Sequence, residues 1–247
     1  MKSTIRIGDK FTTKEGCVVE VVEYNNQNDI IVKFDDLYKK RVSACSLRRG
    51  SIKNFYNPTV CGIGYIGEGI YRVSIGGNHT KAYGVWKAMV RRCYERKPRP
   101  AYVGCSVCDE WHNFQNFAQW FSEQPNAGRK GFQLDKDLLV WGNKVYGPDT
   151  CSFVPNEINK LLTDSGSARG EWPQGVNYHN QRKKYRATLN KGSGKIQYLG
   201  LYETPEEAFV VYKREKEKFV KEQAEKYKYL LHPNVYANLK SWSLFSE

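Results

Sequence analysis

Gly175 to Tyr212 reads GVNYHNQRKKYRATLNKGSGKIQYLGLYETPEEAFVVY. Two runs inside it, Lys184 to Leu189 and Ile196 to Tyr202, alternate large or β-branched side chains with polar ones. Gly192, Ser193 and Gly194 separate them, so the pair reads as an antiparallel hairpin. Thr204 stands three residues before Glu207 with Pro205 between, the spacing of a capping box with proline in the first turn. Ala208, Val211 and Tyr212 then recur at helical intervals, which predicts a helix covering one face of the sheet. The other face is left to Arg182, Lys183, Lys184, Arg186 and Lys195, a cationic surface suited to phosphates and groove edges.

The words Gly175-Val176, Lys184-Tyr185-Arg186-Ala187, Leu199-Gly200-x-Tyr202 and Thr204-x-Glu206-Glu207-Ala208 resemble the DNA-binding domain of the APETALA2/ethylene-response-factor type. That family places a three-stranded sheet in the major groove. The resemblance implies double-stranded DNA as the partner, with Arg182, Lys183, Lys184, Tyr185, Arg186, Lys195 and Tyr198 as its contacts. Composition agrees with a polyanionic partner. Lys and Arg number 39 against 26 Asp and Glu, a formal charge of +13, and such an excess attracts nucleic acid. The longest apolar runs are only a few residues, too short for a membrane span, and the first fourteen residues lack the pattern of a secretory signal. Seven cysteines without such a signal favour reduced thiols or metal ligands over a disulfide framework. The expected location is cytoplasmic.

Upstream, residues 1–78 read as a β-rich unit followed by a Gly-rich connector. Strand-like runs at Cys17 to Tyr24, Asp29 to Phe34 and Lys39 to Ser43 predict a small antiparallel barrel or meander. Phe11, Val19, Val21, Ile31, Val32 and Phe34 would fill its interior, and Lys39, Lys40, Arg41, Arg48 and Arg49 would form a basic rim. Its surface is also the candidate contact for a protein partner. In the connector, Tyr65, Ile66, Tyr71, Val73 and Ile75 have the pattern of a further hairpin.

Residues 79–163 carry whatever chemistry the chain performs, and 164–247 would hold the basic sheet and its helix. Trp86, Met89, Val90 and Cys93 share one face of a helix over Ala82 to Tyr94, with Lys87, Arg91 and Arg92 opposite. Trp111, Phe114, Phe117, Trp120 and Phe121 form the buried stripe of a second helix. Cys105 and Cys108 have the spacing of a zinc knuckle, and Cys93 with Cys151 could complete a four-cysteine structural Zn2+ site. Apolar packing is the competing reading of all four.

The ordered set WKAMVRRCY, GCSVCDEW and LDKDLLVWGNKVYGPDTCSFVPNEINKLL resembles the HNH-type, β-β-α-metal nucleases found in phage genomes. The resemblance implies a central module in which Asp135 and Asn159 hold one Mg2+ or Mn2+ against the scissile phosphate, with Asn156 as a substitute ligand. Lys136 stands where that family has its general-base histidine. An ordinary lysine, with a pKa of about 10.4, keeps its proton at neutral pH. Asp137 is the alternative base, and Asn143 or Thr150 would replace the family's middle asparagine. His79 and His112 lie outside the motif, His179 falls on the basic sheet, and His232 carries no signal.

The fold class expected is therefore α+β and multidomain. A metal-dependent homing endonuclease of phage origin, acting in the bacterial host cytoplasm, is the leading function. A non-catalytic DNA-binding protein, or one that engages a host defence or replication factor, is the alternative.

Overall fold

The computed structural model describes residues 4–35, 38–97, 100–162, 171–192 and 194–244. The chain is mixed α+β; among the described residues the small sheets are antiparallel except one short parallel pair, and there are six α-helices. Among the described residues no helix is long and apolar enough to cross a membrane.

The amino-terminal unit is a meander whose four strands lie side by side in chain order: β1 (Lys10–Thr12), β2 (Val18–Asn26), β3 (Asp29–Phe34) and β4 (Lys39–Val42). A short helix α1 (Ala44–Arg48) follows, capped by the Ser43 hydroxyl on the Ser46 amide. Alternation along β3 buries Ile30, Val32 and Phe34. Ile31 therefore belongs to the outer face, one residue out of step with the interior position expected for it. Val19, Val21, Leu47 and Ile52 complete this core.

The second core gathers around α2 (Lys81–Tyr94) and α3 (Phe114–Glu123). Trp86, Met89, Trp111, Phe114 and Phe117 are fully buried there, in a run of edge-on and tilted ring contacts such as Trp111 to Phe117 at 5.0 Å. Both helices start on side-chain caps, Thr80 for α2 and Asn113 for α3. The Gly-rich connector is ordered against this core. Val60 is buried in it, and Ile66, Tyr71 and Val73 pack on it. The connector's hairpin is confined to β5 (Ser74–Ile75) and β6 (Asn78–His79). The Gln115 amide reaches back to hold Tyr71, accepting from its N–H at 3.0 Å and donating to its carbonyl at 3.0 Å.

A two-stranded ribbon then joins the second core to the third. Strand β7 (Ser106–Val107) pairs in parallel with β9 (Val145–Tyr146), and β8 (Phe132–Asp135) pairs antiparallel with β10 (Ser152–Pro155). In β8 and β10, the cross-strand partners Leu134 and Phe153 face the second core, whereas Val154 faces the third. The ribbon is thus a shared wall. Helix α4 (Asn156–Asn159) follows β10 directly.

The carboxyl-terminal sheet is as expected, with β11 (Val176–His179), β12 (Lys184–Asn190) and β13 (Ile196–Tyr202) in chain order. Helix α5 (Pro205–Tyr227) opens with the complete capping box, Thr204 and Glu207 each satisfying the other's amide. It buries Ala208, Tyr212, Phe219, Val220 and Ala224 against Val176, Ala187 and Leu189. The same core takes in Leu138, Val154, Ile158 and Leu161 from the ribbon and α4. A last helix, α6 (Pro233–Ser241), was not foreseen. Its amino terminus is capped by the His232 ring, which accepts from the Asn234 amide at 3.2 Å. Trp242 and Leu244 dock beyond it, and Phe245 lies outside the described residues.

Candidate nucleic-acid interface and nuclease-like centre

The cross-strand register decides which side chains share the open face of the carboxyl-terminal sheet. Ala187 and Leu189 are buried under α5, so Lys184, Arg186, Thr188 and Asn190 stand on the opposite side of β12. Across the ladder, Arg186 faces Asn177, Lys184 faces His179, Thr188 faces Tyr198 and Asn190 faces Ile196. The Arg186 guanidinium is aimed by a 2.9 Å bond from Nε to Asn177 Oδ1. Lys184 Nζ lies 2.5 Å from Glu203 Oε1. Tyr198 is 59% and Ile196 68% exposed, which leaves two large side chains standing in solvent beside the cations. Arg182 and Lys183 occupy the β11–β12 turn, Lys183 at a left-handed φ of 50°. Lys195 sits in the β12–β13 turn, its N–H bonded to the Gly192 carbonyl.

Tyr185 does not belong to this face, contrary to expectation. It alternates with Arg186 and turns to the helix side, edge-on to Trp172 at 4.9 Å and to Tyr178 at 5.2 Å. Asn177, Thr188 and Ile196 were missed. Their signal lay in the pairing parity with Arg186, Tyr198 and Asn190, and for Thr188 and Ile196 that parity depends on a register shift between Ala187 and Thr188 that alternation alone does not reveal.

The nuclease-like residues lie along the ribbon. The Asp135 carboxylate accepts from the Asp137 and Leu138 amides, both on Oδ1, at 2.9 and 2.7 Å. It thereby caps the turn that leaves β8. Burial raises its pKa above the usual carboxylate value, against the lowering effect of those amides. Lys136 is buried, with its ammonium 2.5 Å from Asp137 Oδ1 and 3.2 Å from the Asn143 carbonyl. Burial pulls its pKa down, but the Asp137 carboxylate outweighs that and the net shift is upward. Lys136 is a fixed cation at neutral pH. Asn143 is occupied as well, its amide donating to the Lys136 and Val145 carbonyls at 2.9 and 2.7 Å. The Thr150 hydroxyl donates to the same Val145 carbonyl at 2.7 Å.

Asn159 comes back to the ribbon, but to Gln133, donating to its Oε1 at 2.7 Å, two residues before Asp135. Asn156 sits further off still, its N–H on the Gly131 carbonyl. Gly131 precedes Asp135 by four residues, about 13 Å of strand. Opposite Asp135 is Ser152, whose buried hydroxyl has no hydrogen-bond partner among the described residues. The donor set does not fit a hydrolytic Mg2+ or Mn2+ centre. One Asp135 oxygen is committed to backbone amides, the neighbouring Asp137 is paired with the Lys136 ammonium, and the helical asparagines meet the ribbon elsewhere.

The four candidate zinc cysteines are not gathered as one ligand set, because among the described residues no three His, Cys, Asp or Glu side chains come together around a point. Cys105 and Cys151 are buried, Cys93 and Cys108 partly so. Burial pushes the Cys93 thiol up to about 11 and Cys151 up to about 12, and raises Cys108 also. Cys151 lies within the second core, with Cys93 and Cys108 packed against it. His112 Nε2 lies 3.2 Å from the Val107 carbonyl, and the His79 ring lies 4.8 Å from Tyr83.

One contact that sequence reading did not find ties the two regions together. Lys216, buried on α5, donates to the Leu161 carbonyl at 2.6 Å, just past the end of α4. Asn238 on α6 donates to the Leu138 and Leu139 carbonyls at 2.9 and 3.0 Å. Comparison of the chain with protein-family models, curated proteins and solved structures gave no match in any of the three.

Proposed function

We propose that this chain is a double-stranded DNA-binding protein that engages its site through the open face of the β11–β13 sheet, with the nuclease-like ribbon serving as a scaffold. The observation that carries this reading is the two-sidedness of β12. Ala187 and Leu189 are sealed under α5, while Lys184 and Arg186 stand opposite with the exposed Tyr198 and Ile196. Cations neutralise phosphates, and a guanidinium or an apolar side chain can discriminate base edges.

The scaffold half of the reading rests on how the ribbon's polar groups are spent. Asp135 caps a turn, Lys136 neutralises Asp137, and Asn143 and Thr150 hold the β9 approach. Each of these groups thus already serves the ribbon's own turns. Titrating labelled duplex with the full-length protein tests the binding claim. Arg186→Ala is expected to weaken affinity by about tenfold and to lower the salt slope by about one. Equal affinity of wild type and variant would overturn the sheet as the contact. Incubating supercoiled and linear DNA with the protein and Mg2+ or Mn2+ tests the scaffold claim, and metal-dependent cutting abolished by Asp135→Ala would restore the endonuclease reading.

A further inference from the structure

The turn between β8 and β9 presents apolar surface that folding alone does not require. Val140, Trp141 and Val145 are 46%, 44% and 41% exposed. The turn is nevertheless held rigidly. Asn143 N–H bonds the Val140 carbonyl at 3.2 Å, and Gly142 adopts the left-handed φ of 72° that the reversal needs. The Asn143 side chain pins both flanks, accepting from the Val145 amide as well as donating to two carbonyls. The buried Lys136 ammonium grips the Asn143 carbonyl from below. A turn whose backbone is pinned in this way has less freedom left to lose on binding.

The surroundings are cationic. Lys144 is exposed within the turn, and a Cβ at Gly104 would stand 3.6 Å from its Nζ, which places the exposed Val103 segment alongside. Arg96 and Lys97 are exposed in the stretch leading to Val103. The acids of these two segments are engaged: Glu95 by Arg91 at 2.5 Å, Asp137 by Lys136 at 2.5 Å, and Asp135 by backbone amides. An exposed aromatic tip with the Lys144 cation in the same turn matches a base step flanked by phosphates. Apolar wedges unstack such steps, and lysines release their counterions.

We propose that the Val140–Val145 turn is a second DNA contact, separate from the sheet, in which Trp141 inserts at a base step and Lys144 takes the adjoining phosphate. The inference takes its ligand from the proposed function but not its residues, so the two fail separately. The test titrates labelled duplex with full-length protein and the variants Trp141→Ala, Trp141→Phe, Lys144→Ala and Arg186→Ala, each checked for an unchanged thermal midpoint. Trp141→Ala is expected to lose roughly tenfold in affinity with an unaltered salt slope, and Trp141→Phe to recover most of it. Lys144→Ala is expected to lower the slope by about one. Wild-type affinity in Trp141→Ala alongside weakened Arg186→Ala would overturn the second contact. The converse result, with only Arg186→Ala intact, would remove the sheet and leave the turn standing.

Discussion

At Asp135 the carboxylate does two opposed things. It satisfies two amides that have no other acceptor in the turn, and it pays for partial burial with a raised pKa. The sign follows from linkage. An acid whose folded pKa lies above its unfolded value, about 3.9, weakens the folded state when ionised, and that cost disappears as pH falls through the folded value. Asp135→Asn keeps the acceptor and removes the charge. It is expected to match or exceed wild-type stability at pH 7, with the difference shrinking toward pH 4, as read by urea unfolding at both pH values. Asp135→Ala removes the acceptor and is expected to cost about 1–3 kcal/mol. At Gly175 the backbone sits at φ 77°, and a Cβ there would lie 2.1 Å from the Tyr212 ring. Gly175→Ala therefore combines strain with a clash against α5 and is expected to destabilise by more than about 1 kcal/mol. An unchanged melting temperature would contradict this.

Among the elements, the ones written in local chemistry were legible. The β12–β13 hairpin follows from alternation and a Gly-rich turn, and α5 begins where Thr204, Pro205 and Glu207 say it must. Helices α2 and α3 were equally readable from their aromatic spacing. What resisted reading depends on partners distant in the chain. Ile31 and Ile30 are interchangeable by composition, and only the pairing of β3 with β2 and β4 settles which is inside. Tyr185 looked like an interface aromatic because its neighbours are basic, yet strand parity turns it toward Trp172. Asp135, Lys136 and Asn159 were singled out by their order along the chain, but order does not show that Asn159 meets Gln133 two positions short of Asp135. Lys216, in a run of charged residues, gave no sign that it is buried. Lys216→Met is expected to leave the Leu161 carbonyl unpaired and to cost about 1–3 kcal/mol, measured by chemical denaturation. A neutral result would mean that the carbonyl finds another donor.

For the molecule as a whole, a charge of +13 sets the dominant force in any encounter with nucleic acid. Affinity is expected to fall steeply between about 50 and 200 mM salt, by roughly 10³ or more if six phosphates are engaged. Salt-independent binding would point to an uncharged contact and against the sheet. The wall formed by β8 and β10 has a consequence for anyone wishing to transplant the basic sheet into another protein. A fragment cut in the stretch 163–170 would leave behind Leu138, Val154, Ile158 and Leu161, which line the underside of α5, together with the Leu161 carbonyl that Lys216 serves. The severed piece would carry a greasy scar. A graft that begins ahead of β8, near Arg129, would keep that underside sealed.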